Sequence, residues 1–431
     1  MKITFLSPGT GSYYCGACMR DNALAKALHR AGNEVEMLPM YLPLSLDEEV
    51  LEGALDKPVF FGGINVFLQQ KSAIFRHTPA WVDRMLNNTT LLKGAAARSH
   101  MTSARTHGKL ALEMLRLEHS HLTKELEKLV AYLEANKPDL LVLSTALQAG
   151  MIRTLKERLG VKVLCFFQGE DTFIDGLPEP YCEGVWQELR ERLPEADGLA
   201  APSRFYAGLM KERLGLADVE IEVMPNGIDV EGYAPTGRSG APKIGYLARM
   251  MRAKGMEVLV EAFIHLRKEL GHPDAKLHIA GTATRENQDF VWEMQDKLDR
   301  AGLAEEVEWH SNISRHEKEE FLGGLTLFSV PVLYPEAFGL YVAEALASGV
   351  PVVQPEAAAF PEFIEATGGG VLVPPGDAEA LARKWKELLE RPEEVKAMGE
   401  RGRRAALAVY SVETMQERFM TLAEKLVSGV Q

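Results

Sequence analysis

The stretch PVLYPEAFGLYVAEALASGVPVV, residues 331–353, reads as a strand, a proline-containing loop, a helix and a second strand. The predicted helix begins near Phe338-Gly339 and ends at Ser348-Gly349. Such a unit belongs to a parallel sheet, because parallel strands need a crossover between them. Its loop is a candidate binding site. A helix N-terminus offers unpaired N–H groups and the positive end of a dipole, which suits a diphosphate. Gly339 leaves no side chain to block the approach. Glu336 lies just before the helix and Glu344 about two turns inside it, so both can face one cleft. Carboxylates placed there accept hydrogen bonds from sugar or ribose hydroxyls. Taken alone, the two glutamates read equally well as a dipole partner and a solvated helix residue.

The same alternation extends in both directions. Upstream, KIGYLA, KLHIAG, VEWH and LTLFSVPV are strand-like, and Leu259, Ala262, Phe263 and Leu266 recur at helical spacing. VPVVQP follows the central helix. The first half repeats the pattern: strands at Lys2–Ser7, Glu34–Leu38, Leu140–Ser144, Val161–Phe167 and Gly198–Ala201, and helices at Asn22–Ala31, Lys124–Leu133 and Met151–Leu159. Asn, Gly, Pro and Ser cluster in EIEVMPNGIDVEGYAPTGRSGAP, which marks a boundary. The expected division is a first domain over 1–224, a second over 225–411, and an amphipathic helix over 412–431 that is free to pack back on the first. Each is expected to be a doubly wound α/β domain, with ligands at the carboxyl ends of the strands.

Composition narrows the function. At 431 residues the chain exceeds one ordinary core, and 46% hydrophobic with 25% charged residues is a globular balance. No apolar run approaches the ~20 residues that span a bilayer. The start MKITFLSPGTG breaks at Pro8-Gly9 and reads as a strand rather than a leader, which points to the cytoplasm. Four cysteines give no disulfide framework, so a reducing compartment fits. A net charge of −13 argues against a nucleic-acid partner. One stretch runs the other way: Lys71, Arg76, Arg84, Lys93, Arg98, Arg105 and Lys109 meet a single acid, Asp83. A solvated helical face explains it most simply. The sharper expectation is attraction to an anionic or lipid-linked acceptor, with peripheral membrane contact at about 1 kcal/mol per basic residue.

EAFGLYVAE, residues 336–344, holds two glutamates with seven residues between them around an F-G-L turn, and ARMMRAKG, residues 248–255, follows the first strand of the second half. These motifs closely resemble those of the retaining glycosyltransferases of family 4. PNGID (225–229), IAG (279–281) and ASGVPVV (347–353) match as well, and the resemblance is densest from Pro225 to Pro375. It implies the GT-B architecture: two facing Rossmann-like domains with a cleft between them. It further implies sugar transfer from a UDP-, GDP- or ADP-linked donor with retention of configuration, without a metal or other cofactor. Carried across residue by residue, Arg249 and Lys254 would bind the diphosphate and stabilise the leaving group, which a fixed guanidinium and a compact ammonium suit. Glu344 would hold the ribose and Glu336 a hydroxyl of the transferred sugar. The amides of Phe338, Gly339 and Leu340 would meet a phosphate or that sugar, the turn at Gly281 belongs to the donor site, and the backbone near Ile313 would meet the base.

The first half departs from the family in two places. Its glycine-rich loop is spread over Gly9, Gly11, Ser12 and Gly16 rather than carrying an adjacent glycine pair. Gln168 stands where many members carry a His, and an amide cannot exchange a proton near neutral pH. Donor contact would survive, whereas a proton relay would fall to Glu170 or Asp171. Cys15 and Cys18 read as small residues starting a buried helix rather than a redox or metal pair. Two alternatives on this fold are a sugar phosphorylase and an inactive nucleotide-sugar binder. A dinucleotide oxidoreductase fits least, since no full G-x-G-x-x-G follows the first strand.

Overall fold

The computed structural model describes residues 1–9, 16–44, 46, 48–71, 78, 104–237, 240–272, 274–283 and 287–429. The chain forms two compact units, Met1–Gly227 with Met415–Gln431, and Ile228–Thr414. The first is built on six parallel strands: β1 (Lys2–Ser7), β2 (Glu34–Pro39), β3 (Leu140–Leu143), β4 (Lys162–Phe166), β5 (Gly198–Ala201) and β6 (Ile221–Val223). Their order is β2-β1-β3-β4-β5-β6. Strands β1, β3 and β4 are apolar runs buried almost throughout, as sheets covered on both faces require.

The second unit holds β7 (Lys243–Leu247), β8 (Lys276–Gly281), β9 (Val307–Ser311), β10 (Leu327–Phe328), β11 (Val352–Pro355) and β12 (Gly370–Val373), again all parallel. Their order, β12-β11-β10-β7-β8-β9, is the 3-2-1-4-5-6 arrangement of a dinucleotide-type domain read from the other edge. The sheet therefore reverses direction between β7 and β10. A crevice opens beyond the carboxyl ends of strands at such a switch point.

Six helices carry the residues discussed below: α1 (Gly16–Arg30), α2 (Arg204–Leu214), α3 (Met256–Lys268), α4 (Arg315–Gly323), α5 (Leu340–Ala347) and α6 (Val412–Ser428). Helix α3 buries Leu259, Ala262, Phe263 and Leu266, the stripe its sequence spacing predicts. Helix α4 starts with a capping box in which Ser314 and Glu317 bond each other's backbone. Helix α6 packs on the first unit, where Phe419 stacks on Phe5 at 6.0 Å and on Phe166 at 6.5 Å. Met415, Phe419 and Ala423 are thus part of the core that β1, β3 and β4 build.

Two elements differ from their sequence reading. LTLFSVPV was expected to be one long strand, yet only Leu327 and Phe328 pair. Pro331 has no N–H to give the ladder, and the Val330 amide goes to the Gln354 side chain instead. Helix α1 begins at Gly16, six residues ahead of the expected Asn22. The polar residues Arg20, Asp21 and Asn22 are all buried in it. Arg20 lies 3.9 Å over the Phe166 ring and Asp21 accepts hydrogen bonds from Ser7 and Ser144.

Candidate functional site

The loops that leave β7 and β10 meet at the switch point of the second sheet. The first carries Arg249 and ends in a tight turn, Arg252–Lys254. The second runs from Ser329 to the start of α5 and carries Tyr334 and Glu336. Leu333 N donates to Ala253 O at 3.0 Å and ties the two loops together. The Met250 amide bonds Thr282 O at 2.9 Å, so the end of β8 braces the Arg249 loop from its other side. This contact depends on Gly281, because a Cβ there would sit 1.8 Å from Ala248 O.

One carboxylate oxygen organises the site. Glu336 Oε2 accepts from Lys254 Nζ, from Tyr334 OH at 3.0 Å and from Tyr341 OH at 3.0 Å. Lys254 is 7% exposed. Its ammonium lies 5.0 Å from the Tyr334 ring centroid and 5.2 Å from that of Tyr341, within cation–π range of both. Burial holds the Lys254 pKa below its ordinary 10.5, with Glu336 opposing that shift and Arg249 adding to it. The Tyr341 hydroxyl is pushed up by burial and by Glu336, which keeps it a donor. Arg249 itself is exposed, and among the described residues no carboxylate pairs with it. The pair thus presents one buried, partnered cation and one open cation on the same loop.

Glu344 is held separately. It is 6% exposed on α5, and its Oε1 accepts from Lys318 Nζ and from Tyr233 OH, both at 2.9 Å. Among the described residues Oε2 takes no hydrogen bond. Lys318, 8% exposed on α4, gives the buried carboxylate the counter-charge it needs. Sequence reading missed both Lys318 and Tyr233. HEKEE looks like a solvated helix face, and only packing reveals which of its charges turns inward.

The remaining donor-side residues fall as follows. The Phe338 ring is buried against Phe363 and Tyr410, at 4.9 and 5.8 Å, so its side chain is not open to a ligand. Gly339 opens α5 and Leu340 is its first residue. Ile313 packs on the second core in the loop after β9, next to Asn312, whose amide bonds Gly281 O at 2.9 Å.

In the first unit, Gln168 follows β4. Its side-chain amide lies 3.5 Å from that of Asn226 in PNGID. Glu170 is fully engaged: Oε1 accepts from Thr145 OH and Ala146 N, each at 2.8 Å, and Oε2 from Gln168 N at 2.8 Å and Tyr206 OH at 3.2 Å. Asp171 is 3% exposed and accepts from Tyr206 OH at 2.8 Å; burial raises its pKa against the lowering effect of that bond. Gly9 lets the chain pass Leu42, since a Cβ there would lie 1.8 Å from Leu42 O. Gly16 starts α1, and Cys18 is buried in it. Gly11, Ser12, Cys15 and, in the basic stretch, Arg76, Arg84, Lys93 and Arg98 lie outside the described residues; Lys109, at its end, pairs with Glu113 at 3.7 Å.

Residues 235–405 match Glycosyl transferases group 1, and residues 90–231 match Glycosyltransferase Family 4. The chain belongs to the family 4 glycosyltransferases. Among relatives of this chain, the MMP alpha-(1->4)-mannosyltransferase of Mycolicibacterium hassiacum is 29% identical over 49% of the chain and 50% of its own length. A GDP-mannose-dependent alpha-(1-6)-phosphatidylinositol monomannoside mannosyltransferase of Mycolicibacterium smegmatis is 28% identical over 56% of the chain and 64% of its own length. The matched stretches therefore span about half to two thirds of these relatives. Sucrose-phosphate synthase from Thermosynechococcus elongatus has the same fold across 99% of both chains, with a TM-score of 0.74 at 18% identity. The family 4 chain is accordingly of the GT-B class, with two Rossmann-like domains. No helix among its described residues is long and apolar enough to cross a membrane.

Proposed function

We propose that this family 4 member transfers a sugar from a nucleoside diphosphate sugar, with retention of configuration and without a metal in the reaction. The observation that carries the reading is the Glu336 carboxylate, fixed by Lys254, Tyr334 and Tyr341 at the switch point of the second sheet. Glu336 oriented in this way accepts a hydroxyl of the transferred sugar. Departure of the diphosphate builds negative charge, and Lys254 with the open Arg249 receives it, aided by the amides of Phe338, Gly339 and Leu340. Glu344, tied down through one oxygen, offers the other to the ribose, while Gly281 and the backbone at Ile313 border the nucleotide. Gln168 is the candidate for a further sugar contact, and Asp171 for proton exchange on the same loop. The relative named for GDP-mannose makes GDP-mannose the first donor to try, and the phosphoinositide in that name makes a lipid-linked acceptor the first to test. A cytoplasmic location fits the free thiols of Cys165 and Cys182.

Thermal unfolding with GDP, UDP, ADP and inorganic phosphate in turn tests the reading. A ligand at 100 times its dissociation constant stabilises the native state by about 2.7 kcal/mol. One nucleotide should raise the transition, the rise should vanish in Arg249→Ala, and the matching nucleotide sugar should be turned over. A shift with phosphate and none with a nucleotide would replace this reading with phosphorolysis.

A further inference from the structure

We propose that His278, Glu308 and His310 form a binding site for a transition-metal dication of the zinc class on the edge of the second sheet, apart from the sugar-transfer residues. The register places them together. His278 on β8 pairs with Glu308 on the edge strand β9, and Ala280 with His310, so the three side chains rise from one face of two neighbouring strands. His278 Nδ1 lies 3.3 Å from Glu308 Oε2 and His310 Nε2 lies 3.6 Å from the same oxygen. All three donor atoms fall within 4.8 Å of one another. Two metal–nitrogen bonds of about 2.1 Å at a tetrahedral angle hold their nitrogens about 3.4 Å apart, so side-chain shifts of about an ångström close this set on an ion.

The cluster also lacks partners that a purely structural arrangement would supply. His278 is 5% exposed, and its Nε2 is buried without a hydrogen-bond partner; the same holds for His310 Nε2. Buried polar nitrogens are normally satisfied. Phe321 packs edge-on against the His310 ring at 5.5 Å, and the two imidazoles lie nearly parallel at 6.0 Å, so the rings are set by their surroundings. Glu308 remains exposed, which leaves water access for the open coordination positions. Two imidazoles and one carboxylate select a borderline dication over magnesium or calcium, which prefer all-oxygen shells. Lys276, two residues earlier on the same face of β8, and its neighbour Lys243 on β7 repel a cation and weaken the affinity.

His278 is three residues from the end of its strand, about 10 Å back from the crevice at 3.3 Å per residue. A metal there would clamp β9 to β8 and steady the loop that holds Asn312 and Ile313. The test uses the full chain, untagged and stripped with a chelator, titrated calorimetrically with zinc and then with magnesium. The wild type should take up one equivalent of zinc and no magnesium. Glu308→Gln and His310→Ala, both at surface-accessible positions, should each weaken zinc at least about tenfold. Unaltered melting temperatures of the metal-free variants would exclude a folding defect. Substoichiometric uptake, equal affinity in the variants, or a cobalt spectrum dominated by thiolate absorption would overturn the assignment.

Discussion

Lys318 illustrates how much a single buried charge decides. It neutralises Glu344, to which Tyr233 only donates a hydrogen bond, so removing it leaves a carboxylate inside the protein with no counter-charge. Lys318→Met should cost about 3–5 kcal/mol in chemical denaturation, whereas Tyr233→Phe, which removes one hydroxyl, should cost about 1 kcal/mol. If Glu344 holds the ribose, Tyr233→Phe should raise KM for the donor and leave kcat nearly unchanged, because that contact is made equally in ground and transition states. Lys254 behaves differently. Lys254→Ala should lower kcat about 10²- to 10³-fold, the cost of losing a preorganised charge where charge develops. In the proposed role its protonated form is the active one, and burial lowers its pKa below 10.5, so activity should fall as pH rises through a value below that of an ordinary lysine. A pH–rate profile of kcat/KM checks the alkaline limb, and a limb at or above 10.5 would contradict the assignment. The spacing of Glu336, Glu344, Arg249 and Lys254 was legible because it lies along the chain. Tyr233 and Lys318 were not, because they reach Glu344 from 111 and 26 residues away.

At the level of elements, position in the sheet sets the consequence of a substitution. Asp197 caps the junction of β4 and β5: its carboxylate accepts from Val163 N at 2.9 Å and from Lys162 at 3.0 Å, and pairs with Lys156 at 3.0 Å. Burial works to raise its pKa, but the Val163 amide and the two lysines outweigh it and hold the value below 3.8. A depressed carboxylate contributes stability above its unfolded pKa and loses it as pH falls through the folded one. Asp197→Asn should therefore lower the melting temperature at pH 7, and the gap to wild type should shrink below about pH 4. Gly281→Ala acts through the backbone: a methyl group 1.8 Å from Ala248 O must displace the Arg249 loop. The expected loss is more than about 3 kcal/mol of stability, with weakened nucleotide binding. Strands β1 and β8 were readable to the residue, since unbroken apolar runs and a terminal glycine mark them. The shortened β10 and the early start of α1 were not. In both, a long-range partner, Gln354 for one and Ser144 for the other, decides where local pattern ends.

For the whole molecule, α6 is the piece that joins the last residues to the first sheet. Phe419→Ala removes a ring stacked on Phe5 and Phe166, and should destabilise the first unit by about 3–5 kcal/mol. Hydrogen exchange resolves the effect by unit: amides of β1, β3 and β4 should lose protection while those of β7 and β8 keep theirs. The division into two βα halves was legible from the restart of alternation at Lys243. The strand order of each sheet was not, because pairing is a property of three dimensions. That same helix carries a consequence for the order of events during synthesis. The first unit emerges first but lacks Met415, Phe419 and Ala423 until the second unit has been translated. At 5–20 residues per second, the roughly 190 residues of the second unit intervene for about 10 to 40 s. The half of the protein that is translated first is thus the half completed last, and its unsealed apolar face must be shielded during that interval.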